Sequence, residues 1–289
     1  MNVADVQVSV VVAVHNGEDA LHELLASLAR QDFEQRYEVI VSDDGSTDAT
    51  ATIARSFAGH IPLVLCESAK RRGPAAAMSA GAALASGQVL AFCDHDDVVH
   101  EAWVRSLSAT ACRERLVAGA IHRMKSDRAA SGEPMDTNAL IAYYGYLPWS
   151  MTANLGVWRD VFDEVGGFTE VLQRSHDADL CWRLAARGVE LAYEPAAIVF
   201  KRPRSGAMPT FRQYLRYGLD HPLLFRRHRD HGMPRRSPSE AAWRYAETAV
   251  SVATALRYPR SPSAIPAAAR AGQDLGRLVG SIRWRTRYL

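Results

Sequence analysis

Residues 87–97 read Gly-Gln-Val-Leu-Ala-Phe-Cys-Asp-His-Asp-Asp, "GQVLAFCDHDD". An apolar run of strand length ends here in three carboxylates and an imidazole within four positions. Carboxylates this close repel one another, so the arrangement needs either a bound cation or constant exposure to water. The flanking sequence decides what kind of strand this is and what stands beside it.

Upstream, strand-like and helix-like segments alternate. "QVSVVVAV" (7–14) is Val-rich and apolar throughout, as expected of a strand covered on both faces. "EDALHELLASLARQ" (18–31) sets Leu21, Leu24, Leu25 and Leu28 at helical spacing. "YEVIVSDD" (37–44) is a second strand and Thr47–Phe57 a second helix; "IPLVLCE" (61–67) is a third strand. Pro74–Ala85 is an Ala-rich helix with proline near its first turn, and "GQVLAFCD" (87–94) is the fourth strand, followed by a helix from about Glu101 to Cys112. Such alternation implies right-handed crossovers and a largely parallel sheet, an α/β architecture.

Beyond residue 115 the pattern is mixed. "RLVAGAIHRM" is a strand and "SDRAASGEPMDTN" a polar loop; "TANLGVWRDVFDEVGGF" is a strand leading into a short helix and a Gly-Gly turn. Ser175 is placed to cap a helix to Arg187, Gly188 stops it, and "VELAYEPAAIVF" returns to strand. From Lys201 onward come Arg-rich helical segments.

In an open parallel sheet, ligands bind at the carboxyl ends of the strands. His15-Asn16, Asp43-Asp44 and Asp94-His95-Asp96-Asp97 all fall there. Each alone reads as a turn or a helix cap, but three on one edge point to a site. A dinucleotide-dependent oxidoreductase is the natural rival. After the first strand, however, the chain reads "HNGEDA" and lacks the GxGxxG that lets a pyrophosphate approach a helix. A diphosphate is then best held by a divalent cation on Asp94 and Asp96.

Over roughly residues 7–225 the sequence resembles the family-2 glycosyltransferases of the GT-A fold. The matching stretches are "VSVVVAVHN", "VIVSDDGSTDAT", "AAAMSAGAALASGQVLAFCDHDD", "NLGVWRDVFDEVGGF" and "HDADLCWRLAARG", in that order. The resemblance implies a GT-A-type, Rossmann-like domain over 1–225, with a nucleotide-binding half (1–115) and an acceptor-side half (116–225), and a basic helical extension over 226–289. It implies an inverting, metal-dependent hexosyltransferase using a nucleoside-diphosphate sugar, UDP being the commonest carrier. In that reading Asp44 binds the nucleobase with Asp43 nearby, and His15 and Asn16 line the nucleotide pocket. Asp94 and Asp96 form the DxD pair that holds the ribose and a Mn²⁺ or Mg²⁺ on the diphosphate. Strand-like alternation turns His95 to the opposite face, away from the metal.

Asp177 matches the family's catalytic base, and His176 replaces the usual Glu beside it. In the first turn of a helix the dipole favours the ionised form of Asp177, as a base requires. Asp179 and Arg183, one turn apart, read as a structural pair. Two readings stand for Lys70-Arg71-Arg72-Gly73, contact with phosphate or a solvated loop. Two also stand for Arg216 in "QYLRY", closure over the diphosphate or a solvated position on a packed helix. An accessory subunit that binds nucleotide sugar without turnover is the alternative function.

Composition sets outer limits. The 289 residues, 48% apolar and 23% charged, suit one large core with a smaller appendage. The net charge of +2 conceals −11 over residues 1–200 and +13 over 201–289. With Trp243, Tyr245, Trp284 and Tyr288 interleaved among Arg, the tail suggests an anionic membrane surface, while the acceptor expected from the resemblance is a glycan, a lipid-linked or a small molecule. No nucleic-acid motif accompanies the charge. Cys66, Cys93, Cys112 and Cys181 have no zinc spacing and read as reduced thiols. Together with the absence of a signal sequence or an apolar run of about 18 residues, this places the expected protein in the cytoplasm, peripheral to the membrane at most. Three Lys against 31 Arg suggests a GC-rich bacterial gene.

Overall fold

The computed structural model describes residues 8–124, 132–134, 145–202, 206–235, 237–258, 261 and 263–288. The described residues fall into two compact units. One takes those within 1–142, 148–170 and 176–203; the other takes those within 143–147, 171–175 and 204–289.

The first unit is built on one sheet. Its strands are β1 (Val8–Val14), β2 (Tyr37–Asp43), β3 (Leu63–Glu67), β4 (Val89–Cys93), β5 (Val98–Val99), β6 (Leu116–Met124), β7 (Gly132–Pro134), β8 (Asn154–Trp158) and β9 (Ala192–Lys201). They run in the order β3-β2-β1-β4-β8-β6-β9-β5, with β7 on β6. The β3-β2-β1-β4 half is parallel throughout, as the alternation predicts. β8 enters antiparallel to both β4 and β6, while β6 and β9 are parallel again. The mostly parallel sheet therefore carries antiparallel ladders in its second half. Of the polar loop expected at 126–138, only Gly132–Pro134 is described, and it pairs with β6.

Helices cover the sheet where the apolar spacing predicts. On α1 (Leu21–Leu28) all four leucines are fully buried. This helix is shorter than the 18–31 pattern, with a turn at 18–20 before it and another at 29–30 after it. After α2 (Thr50–Ser56) comes α3 (Pro74–Leu84), which starts on Pro74 and lies close on the sheet; a Cβ at Gly81 would meet Val11 Cγ1 at 2.6 Å. On α4 (Trp103–Glu114) the fully buried Trp103 donates from Nε1 to Asn154 Oδ1 at 2.8 Å. The Asn154 amide in turn donates to Ala120 O and Ala197 O, both at 2.8 Å, so one buried side chain ties β8 to β6 and β9. The unit is completed by α5 (Arg159–Glu164) and α6 (His176–Ala185).

The second unit is helical, with α7 (Ala207–His228), α8 (Pro238–Arg257) and α9 (Ala264–Arg283). Here α7 and α9 touch backbone to backbone through Gly218, Gly272, Gly276 and Gly280. A Cβ at Gly276 would lie 2.3 Å from Leu215 O, and one at Gly218 would lie 2.2 Å from Gln273 O. Part of the basic charge turns inward. Fully buried Arg277 donates from Nε to His221 Nδ1 at 2.9 Å, and Asp274 accepts from Arg244 Nε at 2.6 Å and Thr248 Oγ1 at 2.7 Å. No helix among the described residues is long and apolar enough to cross a membrane.

Candidate active site

The parallel registers Val14↔Asp43 and Val11↔Phe92 bring the carboxyl ends of β1, β2 and β4 to one edge. There the loops after β1 and β2 are stitched together. Asn16, with φ of +52°, accepts from Thr47 N through Oδ1 at 2.9 Å, and its own N–H donates to Ser46 Oγ at 2.9 Å. Gly17 N donates to Thr50 Oγ1 at 2.8 Å, Glu18 N to Asp48 Oδ2 at 3.1 Å, and Ala49 N to Glu18 Oε2 at 3.0 Å. The His15 ring lies against the carbonyl of Asp44, with Nδ1 at 3.0 Å.

The neighbouring acids are held differently. Asp43 is buried and accepts from Ser46 N at 2.9 Å. Asp44, also buried, accepts from Arg72 N at 2.6 Å and Gly73 N at 2.7 Å. Its carboxylate therefore anchors the Lys70–Gly73 loop to the end of β2. The Arg72 guanidinium pairs with Glu170 at 2.8 Å, while Lys70 is exposed.

After β4 the chain makes a turn through Asp94–Asp97 and re-enters the sheet as β5. The alternation expected of a continuing strand is broken, so the reason given for His95 facing away does not hold. The turn instead lays the His95 ring over Gly17, where a Cβ would meet His95 Cδ2 at 2.9 Å. It also brings a third carboxylate to the DxD pair. Ligand oxygens of Asp94, Asp96 and Asp97 lie within 4.8 Å of one another. Asp97 is 1% exposed, and its buried Oδ1 has no hydrogen-bond partner. Three clustered carboxylates with a vacant buried oxygen suit a hard divalent cation. Lys201, at the end of β9, donates to Asp94 Oδ2 at 2.8 Å and Asp97 Oδ2 at 2.9 Å. Burial would lower the pKa of this ammonium, but Asp94, Asp97 and Asp96 outweigh it and raise the pKa.

Asp177 opens α6 and is buried, its Oδ1 accepting from Ala178 N at 2.9 Å. Burial pushes its carboxyl up to about 7, and the Asp94 charge adds to the shift against the backbone N–H groups that lower it. The helix-terminus expectation of an easily ionised Asp177 is thus overturned, because desolvation outweighs the dipole. Next to it His176 is buried, edge-on to Phe168, with Nε2 3.5 Å from Thr152 Oγ1. Asp179 is fully buried and pairs with Arg183 at 2.7 Å. The same guanidinium donates to Val165 O at 2.7 Å and Gly167 O at 2.6 Å, which fixes the Gly-Gly turn.

The sequence model of glycosyl transferase family 2 matches residues 9–180, more than half of the chain and every one of these first-unit loops. The chain belongs to this family. Among its relatives, the pre-mycofactocin glycosyltransferase of Mycobacterium tuberculosis is 29% identical over 240 residues, covering 78% of this chain and 49% of that one. Glycosyltransferase AglE of Haloferax volcanii is 29% identical over 195 residues, 64% of each chain. This chain thus spans about half to two thirds of the length of these relatives. Two solved structures share the GT-A fold at low identity. The Pyrobaculum calidifontis mannosyltransferase with GDP-Man and Mn²⁺ has a TM-score of 0.64 at 19% identity, covering 96% of this chain and 86% of that one. TarS 1–349 of S. aureus with UDP-GlcNAc has a TM-score of 0.58 at 17% identity, covering 98% and 93%.

Within this family-2 chain, the first unit holds His15, Asn16, Asp43, Asp44, Lys70, Asp94, Asp96 and Asp177. Arg216 belongs to α7 of the second unit, where it is exposed. Asp97 and Lys201 are the residues that sequence reasoning missed. The signal for Asp97 was its adjacency to the DxD pair; Lys201 carried none, because it stands 104 residues from Asp97.

The raised Asp177 pKa makes a pH profile informative. If this carboxylate accepts a proton during turnover, log kcat/KM rises with unit slope at acid pH and levels off above about 7. A plateau already reached near pH 5 would exclude Asp177 as that group.

Proposed function

We propose that this chain transfers a sugar from a nucleoside-diphosphate sugar to an acceptor hydroxyl with inversion at the anomeric carbon. The observation that carries the proposal is the pairing, in a family-2 chain, of the acidic turn at Asp94–Asp97 with a buried carboxyl at Asp177 that feels the Asp94 charge. Asp177 takes the acceptor's hydroxyl proton. The acceptor oxygen forms its bond to the anomeric carbon as the bond to the diphosphate oxygen breaks, and the diphosphate leaves with that electron pair. A Mn²⁺ or Mg²⁺ held by Asp94, Asp96 and Asp97 supplies Lewis-acid stabilisation of the leaving diphosphate when bound. His15, Asn16, Asp43 and Asp44 shape the nucleotide side, and Lys70 and Arg216 are candidates for the phosphates.

The neighbours were solved with UDP-GlcNAc in one case and GDP-Man in the other, so both bases belong in the test. A panel of UDP- and GDP-sugars is screened with Mn²⁺ for thermal stabilisation and then for release of nucleoside diphosphate. Stabilisation with turnover supports the transferase; stabilisation without turnover for every acceptor class supports the accessory-subunit reading.

The second unit supports an acceptor presented at an anionic lipid surface, on the cytoplasmic leaflet. On α9, Leu275, Leu278, Val279 and Ile282 form an exposed stripe to one side of the glycine face, with Ile282 80% exposed. On α8, Trp243, Val250 and Leu256 are likewise exposed. Exposed Arg257, Arg283 and Arg285 flank these apolar residues, a combination suited to interfacial seating. The full chain should co-sediment with anionic vesicles at low salt, release as ionic strength rises, and bind several-fold less after Leu278→Glu with Ile282→Glu. Equal sedimentation of both proteins, or none, counts against the lipid surface and leaves the transferase reading intact.

A further inference from the structure

The acidic turn already contains a cation. Val98 pairs with Phe200 and Val99 with Val199 in the short antiparallel ladder between β5 and β9. The next step of that ladder sets Lys201 opposite Asp97, and the ammonium sits between Asp94 Oδ2 and Asp97 Oδ2 at 2.8 and 2.9 Å. Neither of these is a loose surface pair: the side chains are 20% exposed for Lys201, 30% for Asp94 and 1% for Asp97. The parallel ladder with β6, where Lys201 pairs with Arg123, holds the lysine from its other side.

Three carboxylates and one ammonium leave a net charge of two negatives, which one divalent ion balances. Lys201 engages one oxygen of Asp97 and leaves the other, Oδ1, buried without a partner. Asp97 Oδ1 is therefore the oxygen of this residue left for a metal. We propose that Lys201 is the resident counter-cation of this site, and that its charge restrains how tightly the acidic turn binds a divalent ion by itself.

The physical reason is distance. A divalent ion held by carboxylates whose ligand oxygens lie within 4.8 Å of one another, two of them bonded to Lys201, would be held close to the ammonium. At that range, and at partial burial, repulsion between the two cations is large compared with thermal energy. With Lys201 in place the turn offers the ion two net negative charges instead of three, and a diphosphate would offset the ammonium's repulsion by adding negative charge beside the ion. Lys201 thereby ties metal retention to donor binding. This inference rests on the acidic turn being the metal site of the proposed transferase, but its test needs no turnover and no nucleotide.

Mn²⁺ affinity is measured without nucleotide on the full chain, by loss of the free Mn²⁺ electron-paramagnetic-resonance signal and by calorimetry. Lys201→Gln removes the charge and should bind Mn²⁺ at least tenfold more tightly than wild type. Lys201→Arg keeps the charge and should match wild type. Lys201→Gln leaves Asp97 buried without its partner and so endangers the fold; in that case Mn²⁺ should restore its unfolding transition in proportion to its concentration. A Gln variant that binds Mn²⁺ no more tightly than wild type, or stays unfolded at millimolar Mn²⁺, overturns the proposal. So does an Arg variant that binds like the Gln variant, because length and not charge would then be at work. Nucleoside-diphosphate release by the wild-type protein is scored separately, so failure of the lysine proposal is distinguishable from failure of the transferase reading.

Discussion

Asp177→Asn should lower turnover by about 10²–10⁴-fold while leaving donor affinity near that of wild type. The amide keeps the shape of the carboxylate and can still accept from Ala178 N, but it cannot take a proton. The substitution also has an opposite effect on stability, which separates it from simple damage. In the folded chain burial raises the Asp177 pKa to about 7, against 3.8 for the unexposed-to-perturbation reference. The native state therefore holds a proton that the unfolded chain releases across the interval between those values. Stability drains away as pH rises from about 4 to 7, and the penalty is complete above about 7. An asparagine carries no such penalty. In EDTA, Asp177→Asn should unfold at a higher temperature than wild type at pH 8, with the advantage shrinking toward pH 4. Single-turnover kinetics and melting curves at the two pH values decide. Retained activity would move attention away from Asp177, and Asp179 is a poor substitute because Arg183 and Thr169 already occupy its carboxylate.

Asp96→Ala should weaken nucleoside-diphosphate binding by about 10²-fold, and EDTA should do the same to wild type. Of the three clustered carboxylates, Asp94 and Asp97 are bridged by Lys201, so Asp96 is the acid of the turn that this lysine does not bridge. Removing it takes away a proposed metal ligand without releasing the lysine clamp, and the fold should survive. Calorimetric titration with UDP and with GDP, each in Mn²⁺ and in EDTA, is the measurement. Undiminished affinity in EDTA would mean that the turn recruits no cation for the diphosphate.

Periodicity made the strands and helices of the first unit legible. The four leucines of α1, the uniform valines of β1 and the proline start of α3 each report burial or a boundary directly. The three strand ends were legible as one edge because β2-β1-β4 are parallel neighbours. What stayed hidden depended on contacts between distant residues. Lys201 reaches Asp97 only through the β5–β9 ladder, and a two-residue strand leaves no periodic signature. The sign of the Asp177 shift was misread because position on a helix is visible in sequence, whereas burial of its first turn is not. The G-x₃-G-x₃-G spacing of Gly272, Gly276 and Gly280 stood in the sequence, yet its meaning needed Gly218 on a helix more than fifty residues earlier. Likewise the tail's charge count could not show that Arg244 and Arg277 are bonded internally.

The stitched loops after β1 and β2 bear on the thermodynamics of donor recognition. Five cross-loop hydrogen bonds, from Asn16, Thr47, Gly17, Glu18 and Ala49, join these loops through the chain's own groups. A nucleotide bound there, as proposed, would meet backbone whose ordering entropy was spent when the domain folded. The heat-capacity change on binding should then correspond to the apolar area the nucleotide covers, with no added contribution from loops folding around it. In the proposed reaction, little of the interaction free energy would be diverted to shaping the pocket, and more of it would be left to hold the sugar in line for attack.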